Sequence, residues 1–151
     1  MYPDAAVAGF IEQQFVPVRV HVREQGGAFK QLGARYGVQW TPTTLVLDPD
    51  GVERYRVEGF LPADEFLPQL MLGLGHAAFA ADQFDDAGRW FQQVLDTYPT
   101  SDAAAEALYW TGVSRYKANN DASALAETAR QFTERYQNSP WAKKASVWRR
   151  A

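Results

Sequence analysis

Two spacings of apolar residues divide the chain. As far as about residue 60 the pattern switches between a period of three to four and a period of two; beyond it only the longer period remains. Pro3 and Asp4 open a segment with Val7, Phe10 and Ile11 on one face, which predicts an amphipathic helix over Pro3 to Gln14. "FVPVRVHV", Phe15 to Val22, sets Val16, Val18, Val20 and Val22 against Pro17, Arg19 and His21. That alternation predicts a strand with one buried face and Pro17 early or on an unpaired side. Gly26 and Gly27 interrupt it. Phe29, Leu32 and Tyr36 then recur at helical spacing and stop at Gly37, a suitable C-terminal cap. "TTLVLD" is a continuous apolar strand, and Asp48-Pro49-Asp50-Gly51 supplies a tight turn. The return strand alternates Val52, Arg54 and Arg56 with Glu53, Tyr55 and Val57. Pro62, Asp64 and Glu65 open the next helix.

From Phe66 onward strand signals vanish and a repeat emerges. "LGHAAF…DAGRWFQQVLDTYPTS" aligns with "TGVSRY…ASALAETARQFTERYQNS". Gly75 matches Gly112 and Phe79 matches Tyr116 at a spacing of 37; Tyr98 matches Tyr136 and Ser101 matches Ser139 at a spacing of 38. The first unit resembles a tetratricopeptide repeat, with Leu74-Gly75, Ala78, Ala87, Phe91 and Pro99 at that family's offsets. Gly75 and Ala87 let two helices approach, Phe91 fills the gap between them, and Pro99 ends the second helix. The second unit departs further, with Arg115 and Tyr136 at expected aromatic and proline positions. Ser139 as N-cap and Pro140 at the first helical position begin a last, capping helix. No linker separates the halves. A helix over about 63–80, with Pro68 expected to kink it or shift its register, serves both, so the domains read as 1–70 and 63–151 within one rigid unit.

The first half also carries a resemblance. "FVPVRVHV", then "LGARYGVQWTPTTLVLDPDGVERYRVEGF", then a helix, is similar to the C-terminal two-thirds of thioredoxin-like domains over roughly residues 3–70. The resemblance implies a cis Thr41–Pro42 bond and a peptide-facing loop at Trp40, Thr41 and Pro42. It also implies that the central strand and its Cys-x-x-Cys motif are missing, because the sequence has no cysteine. Trp40 stands where the family keeps a small residue; it either fills the space left by the missing elements or is an ordinary core residue. Two arrangements deal with the vacated strand position. The flanking strands close up into a three-stranded antiparallel sheet, which the alternation of Val16–Val22 favours, or a second chain donates a strand. The expected class is α+β: an incomplete thioredoxin-like fold of about three strands plus helices, then an all-α two-hairpin repeat with a capping helix.

Charge and composition narrow the function. The net charge of −3 is uneven: residues 1–59 hold six basic and seven acidic side chains, 60–108 one and eight, and 109–151 eight and three. Lys143, Lys144, Arg149 and Arg150 come with no base-reading motif, so nucleic acid is not an expected partner. No run approaches the ~18 apolar residues of a membrane span, and Met-Tyr-Pro-Asp shows no leader pattern, so no membrane association and a cytoplasmic location are expected. Absent cysteine excludes thiol catalysis and thiolate metal sites within this sequence.

Catalytic signals are missing. The two histidines, His21 and His76, fall in different elements; His21 reads as a solvent-side strand residue, and Asp48 and Asp50 as turn acids. No calcium-loop pattern, phosphate loop, dinucleotide fingerprint or nucleophile elbow is present, so neither metal nor cofactor is expected. Binding signals are stronger. The repeat family's groove offsets fall on Leu72, His76, Phe79, Tyr109, Val113, Tyr116 and Lys117, whose aromatics suit apolar segments of clients unless the first half or the last helix covers them. The expectation is a non-enzymatic scaffold resembling bacterial stress-related chaperones that join a thioredoxin-like module to repeats and hold other proteins or unfolded clients. The alternative is the C-terminal part of a thiol-disulfide oxidoreductase whose Cys-x-x-Cys segment is absent from this sequence. A homo-oligomer formed through the vacated strand position is a third possibility.

Overall fold

A computed structural model of the protein describes residues 4–150. Helix α1 (Ala5–Gln14) starts where Asp4 accepts the backbone N–H groups of Ala6 and Val7, a side-chain cap on otherwise unsatisfied donors. Pro3, the expected first residue of this helix, lies outside the described residues. Helix α2 (Gly26–Tyr36) ends at Gly37, whose φ of 61° is the left-handed conformation a glycine adopts without strain. Strands β1 (Thr43–Leu47) and β2 (Glu53–Glu58) form an antiparallel hairpin that pairs Thr43 with Glu58 and Val46 with Tyr55. Asp48 fastens its turn. One carboxylate oxygen accepts the N–H groups of Asp50 and Val52 at 2.9 and 3.0 Å, and the other accepts Arg54 Nε at 2.8 Å. These bonds, the one from Val52 foremost, hold the Asp48 carboxyl below its ordinary range.

Five helices follow: α3 (Ala63–Ala80), α4 (Phe84–Thr97), α5 (Ala104–Asn119), α6 (Ser123–Glu134) and α7 (Pro140–Ala145), then a 3₁₀ turn over Ser146–Arg150. Helix α3 continues through Pro68, which is buried inside it. The two repeat units become the hairpins α3–α4 and α5–α6, and Ser139 accepts Ala142 N–H to cap α7. Close approach explains the spaced glycines. A methyl group on Gly75 would sit 2.5 Å from Phe91 Cε1, and one on Gly112 would sit 2.8 Å from Thr128 Cβ. Each hairpin therefore packs backbone against side chain at the equivalent point.

Two clusters make up the core. One joins Leu72 of α3 to Ala87, Phe91 and Val94 of α4, Leu108 of α5 and Phe132 of α6. The other joins Val7 of α1, Val46 and Val57 of the hairpin, and Phe66, Leu67 and Leu70 of α3. Helix α3 supplies residues to both, and Phe10, Tyr55 and Tyr98 border both.

The strand expected over Phe15–Val22 does not form. The sheet of the described residues has two strands, so the flanking segments do not close into the three-stranded arrangement that alternation favoured. Alternation marks a segment able to lie in a sheet, but a ladder needs a neighbour, and among the described residues no strand pairs with this segment. His21 serves the local turn instead. Its Nδ1 accepts the N–H groups of Arg23 and Glu24 at 3.3 and 3.2 Å, and its carbonyl accepts Gln25 N–H at 2.8 Å, just ahead of α2. Helix α2 contains no buried residue, so Phe29, Leu32 and Tyr36 find no complete core to enter.

Candidate functional site

The groove offsets lead to the inner face of the repeats, and the hairpin covers part of it. Leu72 is fully buried in the repeat core and offers nothing to a partner. His76, one turn further along α3, stacks on Tyr55 of β2 with ring centroids 5.5 Å apart and planes inclined by 10°. Phe91 and Trp110 meet its ring edge-on at 5.2 and 5.1 Å. His76 Nε2 lies 3.2 Å from Glu106 Oε1 of α5. Phe79 packs against Phe84 and Trp110 at 5.0 and 5.2 Å. Tyr109 stacks on Trp148 at 4.7 Å and meets Trp141 at 5.2 Å, so the C-terminal turn shields it. Val113 and Tyr116 are half-buried, while Lys117 is exposed with its ammonium 5.3 Å from the Phe84 ring centroid. Of the seven, Leu72 is buried and Lys117 exposed, while His76, Phe79, Tyr109, Val113 and Tyr116 are all half-buried, the first three within ring contacts.

Where the halves meet, a polar cluster forms that sequence reasoning missed. The Tyr55 hydroxyl faces Gln69 Oε1 and also Glu106 Oε2, the latter at 3.3 Å. Its members come from β2, α3 and α5, separated by as many as 51 positions. The signal that existed was Tyr55 sharing a strand face with Val57, opposite the charged Arg54 and Arg56. Trp110 Nε1 and Ser114 Oγ are buried nearby in sequence without hydrogen-bond partners, a cost that the surrounding ring packing must offset.

Burial, and then the Glu106 carboxylate, pushes the Tyr55 phenol above its ordinary range. A free phenol ionises near pH 10, and the unfolded chain gains that ionisation while the folded one resists it. The contribution of Tyr55 to stability is thus complete below about pH 10 and is lost as pH rises through the folded value. Melting curves should show an alkaline fall in stability that is smaller in Tyr55→Phe than in the parent.

The thioredoxin-like loop is open. The Thr41–Pro42 peptide bond is cis, and Pro42 carbonyl accepts Gly59 N–H at 2.7 Å, placing Trp40 and Phe60 at the same end of the hairpin. Trp40 is 68% and Phe60 77% exposed. Trp40 therefore neither fills a gap nor belongs to the core, because nothing among the described residues packs over that end. No group of three or more His, Asp or Glu side chains among the described residues is placed to hold a metal ion. No described helix is long and apolar enough to cross a membrane.

An incomplete α+β module sharing a helix with a two-hairpin array defines the class of protein. Residues 3–72 match the thioredoxin-like domain family, and residues 106–139, the second helical hairpin, match the tetratricopeptide repeat. The chain thus joins a thioredoxin-like module without Cys-x-x-Cys to tetratricopeptide-like repeats. The repeat match falls on the hairpin whose offsets departed further from the pattern. No curated protein and no solved structure matches the chain.

Proposed function

We propose that the protein is a non-catalytic interaction scaffold with chaperone-like, holdase activity, in which a redox-inactive thioredoxin-like module and helical repeats hold unfolded segments of other proteins. The observation that carries this reading is where its large exposed apolar side chains lie. Val16 is 92% and Val18 81% exposed, and with Trp40 and Phe60 they lie in the first sixty residues, whereas Val147 is the one such side chain that the repeat half exposes among the described residues. Large apolar side chains left in water are candidate contacts for an apolar partner segment. Light scattering of a heat-denatured client tests it. Near-equimolar chain should suppress aggregation, and Trp40→Ser combined with Phe60→Ser should raise the amount required several-fold. No suppression at several-fold excess overturns the holdase activity.

A second reading, the C-terminal part of a thiol-disulfide oxidoreductase, draws support from the edge of β1 that no strand among the described residues pairs with. An in-frame coding sequence for Cys-x-x-Cys upstream of residue 1 decides for it.

A further inference from the structure

Glu106 of α5 lies at the junction of the two halves. No Lys or Arg among the described residues pairs with it; its one partner able to carry a positive charge is His76, whose Nε2 is 3.2 Å from Oε1. Both side chains are less than a fifth exposed. A carboxylate only accepts, so Nε2 carries a proton and Nδ1 is the nitrogen that gains or loses its own. Nδ1 has no hydrogen-bond partner among the described residues, which leaves it free to take that proton.

The same carboxylate reaches the hairpin. Its second oxygen lies 3.3 Å from the Tyr55 hydroxyl of β2, and the Tyr55 ring stacks on the imidazole at 5.5 Å. A proton on His76 therefore acts on three elements, β2, α3 and α5. The other neighbours add no charge: α4 presents Phe91, α5 also presents Trp110, and Gln69 of α3 meets the Tyr55 hydroxyl. Burial and Glu106 push the Tyr55 phenol upward, so it stays neutral over the range in which histidines titrate.

We propose that His76 is a proton-operated clamp: its protonated form fastens the β-hairpin onto the repeats, and its neutral form lets the hairpin open and bare the α3–α5 face around His76 and Glu106. The clamp is independent of whether the chain holds clients. Imidazolium supplies the positive charge that a largely buried carboxylate otherwise lacks, and a cation against the Tyr55 ring face gains further. With the hairpin lifted away, water reaches both groups and the pair weakens. The closed form thus binds the proton more tightly than the open one. Closure is favoured at low pH and is lost as pH rises through the titration of His76.

Hydrogen exchange followed residue by residue from about pH 5 to about pH 8 tests this. A two-stranded hairpin off its support is marginal, so opening exposes its amides. Protection factors, which remove the intrinsic pH dependence of exchange, should fall about tenfold over that range for the paired amides of residues 43–58, the worth of one charge-assisted hydrogen bond. Those of α4 to α6 should stay constant. His76→Gln keeps a donor for Glu106 but does not titrate, and should abolish the fall. Glu106→Gln removes the charge that the imidazolium answers and should leave no fall with rising pH. His21→Gln should preserve it, because His21 serves the turn ahead of α2. Hairpin protection that is constant with pH in the parent chain overturns the clamp. So does a fall that survives in His76→Gln, or one shared equally by α4 to α6, which would report global unfolding. The parent chain alone supplies the first and last of these results, so a variant that fails to fold does not shelter the clamp from refutation.

Discussion

Replacing Phe91 by alanine should lower the melting temperature by roughly 6–20 °C, from a loss of about 3–5 kcal/mol in a domain of this size. Phe91 is fully buried, and its ring lies edge-on to His76 at 5.2 Å and stacks with Trp110 at 6.4 Å. It also fills the space above Gly75, where the absence of a side chain lets α3 and α4 approach. The cavity left by alanine could shrink only if α3 and α4 moved closer, and buried Ala87 already sits between them. The complementary change behaves differently. Gly75→Ala drives a methyl group into the ring and should cost about 1–3 kcal/mol, part of which returns when Phe91 is also shortened to leucine. Calorimetry on the four proteins of that cycle measures the coupling. Additive losses would mean that glycine and ring do not share one space.

Gly73→Val should have the second-largest effect, with a different distribution. A Cβ at Gly73 would lie 2.7 Å from Val46 Cγ2 and 3.3 Å from Tyr55 Cβ, so the wedge acts between α3 and the hairpin. Overpacking of this kind costs about 1–3 kcal/mol. Because the repeat core contacts the far side of α3, the damage should concentrate in residues 43–58, whose amides should exchange faster while those of α4 to α6 keep their protection. A uniform rise in exchange across the chain would show instead that the two clusters unfold as one unit. Separation of the hairpin should also uncover His76 and Glu106, now beneath Tyr55.

Local rules made much of this architecture legible. Asp48-Pro49-Asp50-Gly51 encoded the hairpin because its side-chain and glycine requirements lie within four residues. Gly75 and Gly112 marked both helix crossings through the same spacing that revealed the repeat. The strand over Phe15–Val22 failed because alternation specifies a face, while a strand exists only through a partner that the segment itself does not supply. The groove offsets left two arrangements open, a free face or one covered by the first half or the last helix, because nothing local announces that Tyr55, contributed by a different half, stacks on His76. The Tyr55, Gln69 and Glu106 cluster likewise joins residues that only the finished packing brings together.

Helix α3 imposes an order on biosynthesis. During synthesis α1 and the hairpin leave the ribosome before the helix that covers them, so Val7, Val46 and Val57 must wait for Phe66, Leu67 and Leu70. An N-terminal half that cannot complete itself as it emerges is exposed to aggregation for that interval. Emergence of residues 63–80 from the ribosome, and not their synthesis, sets the moment at which the first half can close its core. A slow codon cluster that halts the ribosome while the hairpin is outside and α3 is still inside should therefore lower the soluble yield, while a halt after α3 has emerged should not.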